Sequence, residues 1–177
     1  MVERDIEKIA KRMVEVGAVK KGNFVLSSGK RSNVYVDVKL ACTYPDLLKD
    51  ITNQMVYLAK EFDSIACIEL GGVPLATALS LKTGKRMAIF RKKKKEYGIE
   101  SDLVGVVERG ERVLVVEDVT TTGGSALSTV SRVRELGAEV SQVIVVVDRE
   151  EGAVKRFRDE GVELTPLLKM SDLMRFL

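Results

Sequence analysis

Two adjacent acids, Glu117 and Asp118, stand ahead of a run made almost wholly of hydroxyls and glycines, Val119-Thr120-Thr121-Thr122-Gly123-Gly124-Ser125. The stretch before them, Val113-Leu114-Val115-Val116, has the composition of a buried strand, and a helical pattern follows to Leu136, where Gly137 can end it. Glycine and hydroxyl residues at a helix N-terminus let backbone N–H groups wrap a phosphate while the helix dipole favours its charge. Thr120, Thr121, Thr122 and Ser125 can add side-chain hydrogen bonds. Carboxylates do not bind phosphate, so Glu117 and Asp118 call for sugar hydroxyls, which donate to them, or a divalent cation. A phosphorylated sugar satisfies both halves. The plainer alternative is an acid-capped helix after an ordinary turn. A P-loop fits poorly, because no Gly-Lys-Ser/Thr follows the glycines, and a dinucleotide fingerprint fits poorly because GxGxxG is absent from the strand ends.

A second candidate is Arg91-Lys92-Lys93-Lys94-Lys95, five consecutive cations that repel one another unless an anion relieves them. Such runs are usually solvated surface. This one follows the apolar stretch Met87 to Phe90 and precedes Gly98, as a loop that closes on a polyphosphate would. A nucleic-acid site would interleave aromatic residues with the charge, and only Tyr97 is close; the net charge of +3 is also small. The chain has no histidine, which removes Ser-His-Asp and Cys-His pairs and the usual neutral-pH proton shuttle. Cys42 and Cys67 stand far apart without a CxxC spacing, so they are expected to be buried thiols.

These candidates need elements to position them. Residues Glu3 to Val16 place apolar side chains at helical spacing, and Tyr44 to Glu61 does so again. Phe24 to Lys39 alternates around Ser27-Ser28-Gly29 and predicts two short strands joined by a turn. Apolar runs at Ser64–Leu70, Met87–Phe90, Val113–Val116, Val143–Val147 and Val162–Leu168 predict strands, with a helix led by Pro74 between the first two. Alternating strands and helices predict an α/β fold: a mostly parallel central sheet with helices on both faces. Ligands on such sheets bind at the carboxyl ends of strands, which points to Glu69–Pro74, Glu117–Ser125 and Asp148-Arg149. At 177 residues, 45% apolar and 31% charged, the chain is expected to form one domain over residues 1–177. No segment approaches the length of a membrane span and the start, Met1 to Asp5, has no signal-peptide core, so a cytoplasmic location is expected.

The segment Glu117 to Ser125 resembles the phosphoribosyl pyrophosphate signature of the type I phosphoribosyltransferases, in which two acids precede a Thr-Thr-Gly loop at a strand end. Three other stretches resemble the orotate phosphoribosyltransferases, in the same order and over nearly the whole length. Phe24-Val25-Leu26-Ser27-Ser28-Gly29-Lys30-Arg31-Ser32 through Tyr35 and Asp37 resembles that family's amino-terminal hood, Arg91 to Gly98 its catalytic loop, and Asp148-Arg149 its orotate-contacting strand end. The resemblance implies a hood of helix and short strands over residues 1 to about 40 and a core from about 41 to 177.

It also implies roles. Glu117 and Asp118 hold the ribose hydroxyls, and the loop with Val119, Thr120, Thr121, Thr122, Gly123, Gly124 and Ser125 holds the 5-phosphate. Arg91, Lys92, Lys95 and Tyr97 meet the pyrophosphate, while Thr121 and Arg149 bind orotate. Lys92, Lys95 and Asp118 are the expected catalytic residues, with Mg²⁺ bound through the substrate rather than by protein ligands. In the family the catalytic loop reaches the neighbouring subunit's site, which implies a homodimer. The chain departs from the family in having Tyr97 where histidine is common, and in lacking lysines at Ser27 and near Gly71, for which Lys30, Arg31 and Lys39, close in sequence, could compensate. The rival readings are a purine-base phosphoribosyltransferase, a non-catalytic regulator that senses phosphoribosyl pyrophosphate, and a plain nucleotide-binding module. A regulator would usually keep a DNA-binding helix pair, whereas Glu3 to Gly17 supplies one helix.

Overall fold

The computed structural model describes residues 2–25, 29, 31–92 and 102–177, without the side chains of residues 2–4. Helix α1 (Val2–Glu15) buries Ile9, Ala10 and Met13 and turns its charges outward, as its periodicity predicts. Strands β1 (Val19–Val25) and β2 (Arg31–Val36) form a separate two-stranded antiparallel sheet. The first of these begins five residues ahead of the predicted start. Its register shifts between Lys21 and Phe24, and that irregularity breaks the alternation by which a strand is recognised. The predicted second strand also ends early: residues Val38–Cys42 form a short helix, α2, capped by Asp37, whose Oδ1 accepts from the Leu40 amide at 3.2 Å.

Helix α3 (Pro45–Leu58) leads into the main sheet, whose strands are β3 (Ser64–Ile68), β4 (Met87–Phe90), β5 (Leu103–Val104), β6 (Val113–Thr120), β7 (Gln142–Asp148) and β8 (Glu163–Lys169). Their spatial order is β5-β4-β3-β6-β7-β8, and all pairings are parallel except β4 with β5. Helices α4 (Gly72–Thr83), α5 (Gly124–Glu135), α6 (Ala153–Asp159) and α7 (Met170–Met174) complete the chain. The predicted α/β class is therefore the observed one, with α2, β5, α6 and α7 as additional elements.

Side-chain alternation divides the interior into two cores. Ile65, Cys67, Leu114, Val116 and Ile144 face α1, α3 and α4 through Met13, Ile51 and Leu79. Ala66, Val113, Val115, Val143 and Val145 face α5 and α6 through Val130, Val133 and Phe157. Burial on both faces explains why β3 and β7 read as continuous apolar runs. The chain runs outward from β3 to β4, then returns past β3 to β6. The strand order thus reverses between β3 and β6, and a crevice opens there at the strands' carboxyl ends.

Candidate active site

Strand β6 reaches the crevice and extends further than its apolar run, through Glu117, Asp118 and Val119 to Thr120. Parallel pairing with β7 sustains it, since Val119 stands opposite Val147 and Thr120 opposite Asp148. The polar end of β6 is thus held by neighbours that the local pattern does not contain. Alternation aims the adjacent acids at different neighbours, although their carboxyls stay close enough to interact. Glu117 turns toward α5, sharing the cleft wall with Ser125, and its Oε1 accepts from the Asp118 amide at 3.4 Å. Asp118 turns toward α4 and α2, where Lys39 Nζ lies 3.7 Å from its Oδ2.

Glu117 is 5% exposed, and its Oε2 is buried without a hydrogen-bond partner among the described residues. Burial, with the neighbouring Asp118 carboxyl as the second cause, raises its pKa to about 8. A buried acceptor of this kind is costly until a donor arrives. The hydroxyls of a sugar are such donors. Lys39 sits between Asp118 and Asp37, the latter at 3.2 Å; burial pulls its pKa down, but the two carboxylates outweigh that and raise it.

After Thr120 only three residues, 121–123, precede α5, so the loop is tighter than the predicted 120–125. Gly123 caps the helix at φ 82°, in the left-handed region, and a Cβ there would lie 2.5 Å from the Phe157 ring. Only glycine lets this loop turn into the helix while α6 packs against it. Gly71, across the crevice at the start of α4, is constrained differently, because a Cβ on it would overlap the Asp118 carboxylate. The chain after β3 therefore lies directly against one of the two acids.

At the next strand end, the Arg149 amide donates to the Thr120 carbonyl at 2.9 Å, which carries the β6–β7 register one residue further. Arg149 lies beside Thr121 as a result. Its side chain is 9% exposed, and the guanidinium donates to Ser32 Oγ at 3.0 Å and pairs with Glu151 at 3.2 Å. Ser32 is itself set by the Val34 amide and carbonyl, at 3.1 and 2.8 Å. The hood thereby meets the sheet at a guanidinium with a planar donor fork suited to a carboxylate.

A cleft of about 490 Å³ joins these parts, with Lys92, Glu117, Asp118, Val119, Thr120, Thr121, Gly123, Gly124, Ser125 and Arg149 on its wall beside Val25, Tyr35, Val36 and Lys39. Residues 44–162 match the phosphoribosyl transferase domain family. The orotate phosphoribosyltransferase of Archaeoglobus fulgidus is 59% identical over 168 residues, which are 94% of this chain and 90% of that one. The chain belongs to the orotate phosphoribosyltransferases. A crystal structure of the family from Aeropyrum pernix superposes with a TM-score of 0.86 at 31% identity, covering 94% of this chain and 96% of that one. The Mycobacterium tuberculosis orotate phosphoribosyltransferase in complex with 5-phospho-α-D-ribosyl 1-diphosphate superposes at 0.77 with 31% identity, covering 96% and 99% of the two chains. The type I phosphoribosyltransferase fold expected from the signature is the fold observed.

Against this family outline, the remaining expected site residues divide into three groups. Arg91 does not line the cleft but faces Glu69, with 3.8 Å between Nη1 and Oε2. Thr122 also lies off its wall, its carbonyl 3.4 Å from Arg156 Nη1. Lys95 and Tyr97 fall outside the described residues, as does Ser27. Sequence reasoning offered Lys39 as a substitute for the missing lysines without its partner Asp118, and left Glu69 and the Ser32–Arg149 contact out of the site. Lys39 belongs to α2, too short for a periodic signal, while Glu69, at a strand end, has its partner 23 positions away, its Oε1 accepting from the Lys92 amide at 3.1 Å. Among the described residues no group of three or more acidic or thiol ligands could hold a metal ion.

Proposed function

We propose that this protein transfers the ribose 5-phosphate unit of phosphoribosyl pyrophosphate to orotate, forming orotidine 5′-monophosphate and pyrophosphate in pyrimidine biosynthesis. The supporting observation is that one cleft carries a hydroxyl-binding acid pair, a phosphate cradle, a loop cation and a buried guanidinium together. In this reading Thr120 to Ser125, with the amides that open α5, hold the 5-phosphate. Glu117 and Asp118 accept the ribose hydroxyls and fix C1 of the sugar. Arg149 meets the orotate carboxylate with two parallel hydrogen bonds, Thr121 supports the ring, and the ring nitrogen is aimed at C1.

The N–C1 bond forms as the C1–O bond to pyrophosphate breaks, and no protein nucleophile is needed. Lys92 and Lys95 offset the charge building on the leaving group, with Arg91 and Tyr97 as further contacts, and a Mg²⁺ ion brought with the substrate would supply further positive charge there. Each fixed cation lowers the barrier by about 2–4 kcal/mol, in the range of an oxyanion-hole donor. Excluding water around the reacting sugar prevents its simple hydrolysis. The proposal includes a single domain with a hood to about residue 40, a cytoplasmic location, and a homodimer whose basic segments are shared between subunits. Among the described residues no helix is long and apolar enough to cross a membrane.

A purine base offers Arg149 no carboxylate, so its nearly buried guanidinium favours orotate. The test is the loss of orotate absorbance on mixing the protein with phosphoribosyl pyrophosphate and Mg²⁺, beside Asp118→Asn and Arg149→Ala. Magnesium-dependent turnover that falls at least about tenfold in both variants supports the reading. Turnover of adenine or hypoxanthine in place of orotate refutes the substrate, and binding of phosphoribosyl pyrophosphate without turnover of any base refutes the enzyme.

A further inference from the structure

Arg132 lies in the last turn of α5, away from the cleft wall, and its guanidinium is engaged with the chain on either side of the basic segment. Its Nη1 donates to the Arg91 carbonyl at 3.0 Å, and its Nη2 donates to the Asp102 carbonyl at 3.0 Å and to Asp102 Oδ2 at 2.6 Å. The guanidinium also stacks over the Phe90 ring, 4.5 Å from its centroid, and the side chain is 18% exposed. Arg91 and Asp102 are themselves joined, amide to carbonyl, at 2.8 Å. A single side chain thus grips both strands of the β4–β5 stem just where the first leaves for the basic segment.

The helix that carries it gives this grip its meaning. The N-terminus of α5 at Gly124 forms part of the phosphate cradle, and Arg132 lies eight residues later, about 12 Å along the same rigid rod. Lys92, which lines the cleft, follows directly after the residue whose carbonyl Arg132 holds, and its own amide is tied to Glu69 at 3.1 Å. We infer that Arg132 is a positioning residue for the transfer reaction, setting where Lys92 enters the cleft relative to the cradle at the other end of α5. The inference rests on the reading of Lys92 as a pyrophosphate-contacting cation. A guanidinium suits the task because its planar fork can hold two carbonyls and a carboxylate at once, which an ammonium does less rigidly.

A stabilising staple with no part in the reaction would lower activity only by loosening the fold, whatever stands at position 92. The test is therefore a double-mutant cycle on the full chain, with Arg132→Gln and Lys92→Ala made singly and together. Orotate turnover and the equilibrium affinity for phosphoribosyl pyrophosphate with Mg²⁺ are both measured. Arg132→Gln is expected to lower kcat by about 10- to 100-fold while changing that affinity by less than about threefold, because the cradle stays in place. In the Lys92→Ala background the same change should cost less than about twofold. Arg132→Lys should recover only part of kcat, because an ammonium cannot hold both carbonyls and the carboxylate in one plane. Should Arg132→Gln fail to fold, Asp102→Asn, which keeps the main-chain acceptors, is expected to lower kcat about 3- to 10-fold with the same dependence on Lys92. Equal losses in both backgrounds, or a parallel fall in affinity, overturn the role of Arg132 alone. A Lys92→Ala enzyme with unchanged kcat overturns the underlying reading as well.

Discussion

Glu117→Gln should make the ligand-free protein more resistant to alkaline pH while disabling it. The carboxyl is buried against Asp118, with one oxygen unpaired, and its pKa stands at about 8 against an ordinary 4.5. Between those values the folded protein holds the proton more tightly than the unfolded chain, so wild-type stability falls as pH rises through this window and levels off above it. Each pH unit is worth about 1.4 kcal/mol, so the span from 4.5 to about 8 sets a ceiling of about 5 kcal/mol. Water in the cleft screens this to roughly 2–3 kcal/mol. Urea unfolding at pH 5.5 and 8.5 gives the measurement, and the difference between the two pH values is compared for wild type and variant so that other titrating groups cancel. The wild type should lose roughly 2 kcal/mol more than Glu117→Gln, or about 4–8 °C in Tm. Parallel changes in the two proteins would refute the reasoning, and so would a larger loss in the variant. Ribose hydroxyls donating to this carboxyl favour its ionised form, so replacing it by an amide should also lower kcat/KM for phosphoribosyl pyrophosphate by roughly 10- to 100-fold, the worth of a hydrogen bond to a charged group.

Gly71→Ala puts a methyl group where the Asp118 carboxylate lies, so kcat/KM for phosphoribosyl pyrophosphate should fall about tenfold or more, with Tm lowered by only a few degrees; steady-state kinetics and a thermal melt check both. Ser32→Ala removes the hydroxyl that orients Arg149, and titration of each substrate should show the orotate KM rising about three- to tenfold while that for phosphoribosyl pyrophosphate stays within about twofold. Burial raises the Cys42 and Cys67 thiols to about 12, with Asp118 and Asp37 adding to the first and Glu117 to the second. A thiol reagent at pH 8 should therefore leave both unmodified in the native protein and label both in urea, whereas rapid native labelling would contradict the packing.

Much of the architecture was legible because its signals are local. The strand of branched apolar residues, the acid pair, the hydroxyl–glycine turn and the following helix sit within one stretch, from Val113 to Leu136, and each constrains its neighbours. The elements that escaped are short. Strand β5 has two residues, α2 five and α6 seven, too few for a period of 2 or 3.6 to repeat convincingly. The irregular register at Lys21 and Phe24 likewise hid the start of β1.

By itself, then, the amino-acid sequence determined the α/β class, the phosphate-binding turn with its two acids, and the strand end bearing Arg149. Tertiary structure alone decided that Glu117 and Asp118 face different partners, that Lys39 meets Asp118, that Ser32 orients Arg149 from 117 positions away, and that Arg132 spans both sides of the β4–β5 stem. The physical reason is one of range. Hydrogen-bonding periodicity and turn preferences act over a few residues and leave a mark on the sequence. Burial, charge pairing and the loss of an acceptor's water depend on which distant elements the sheet order brings together.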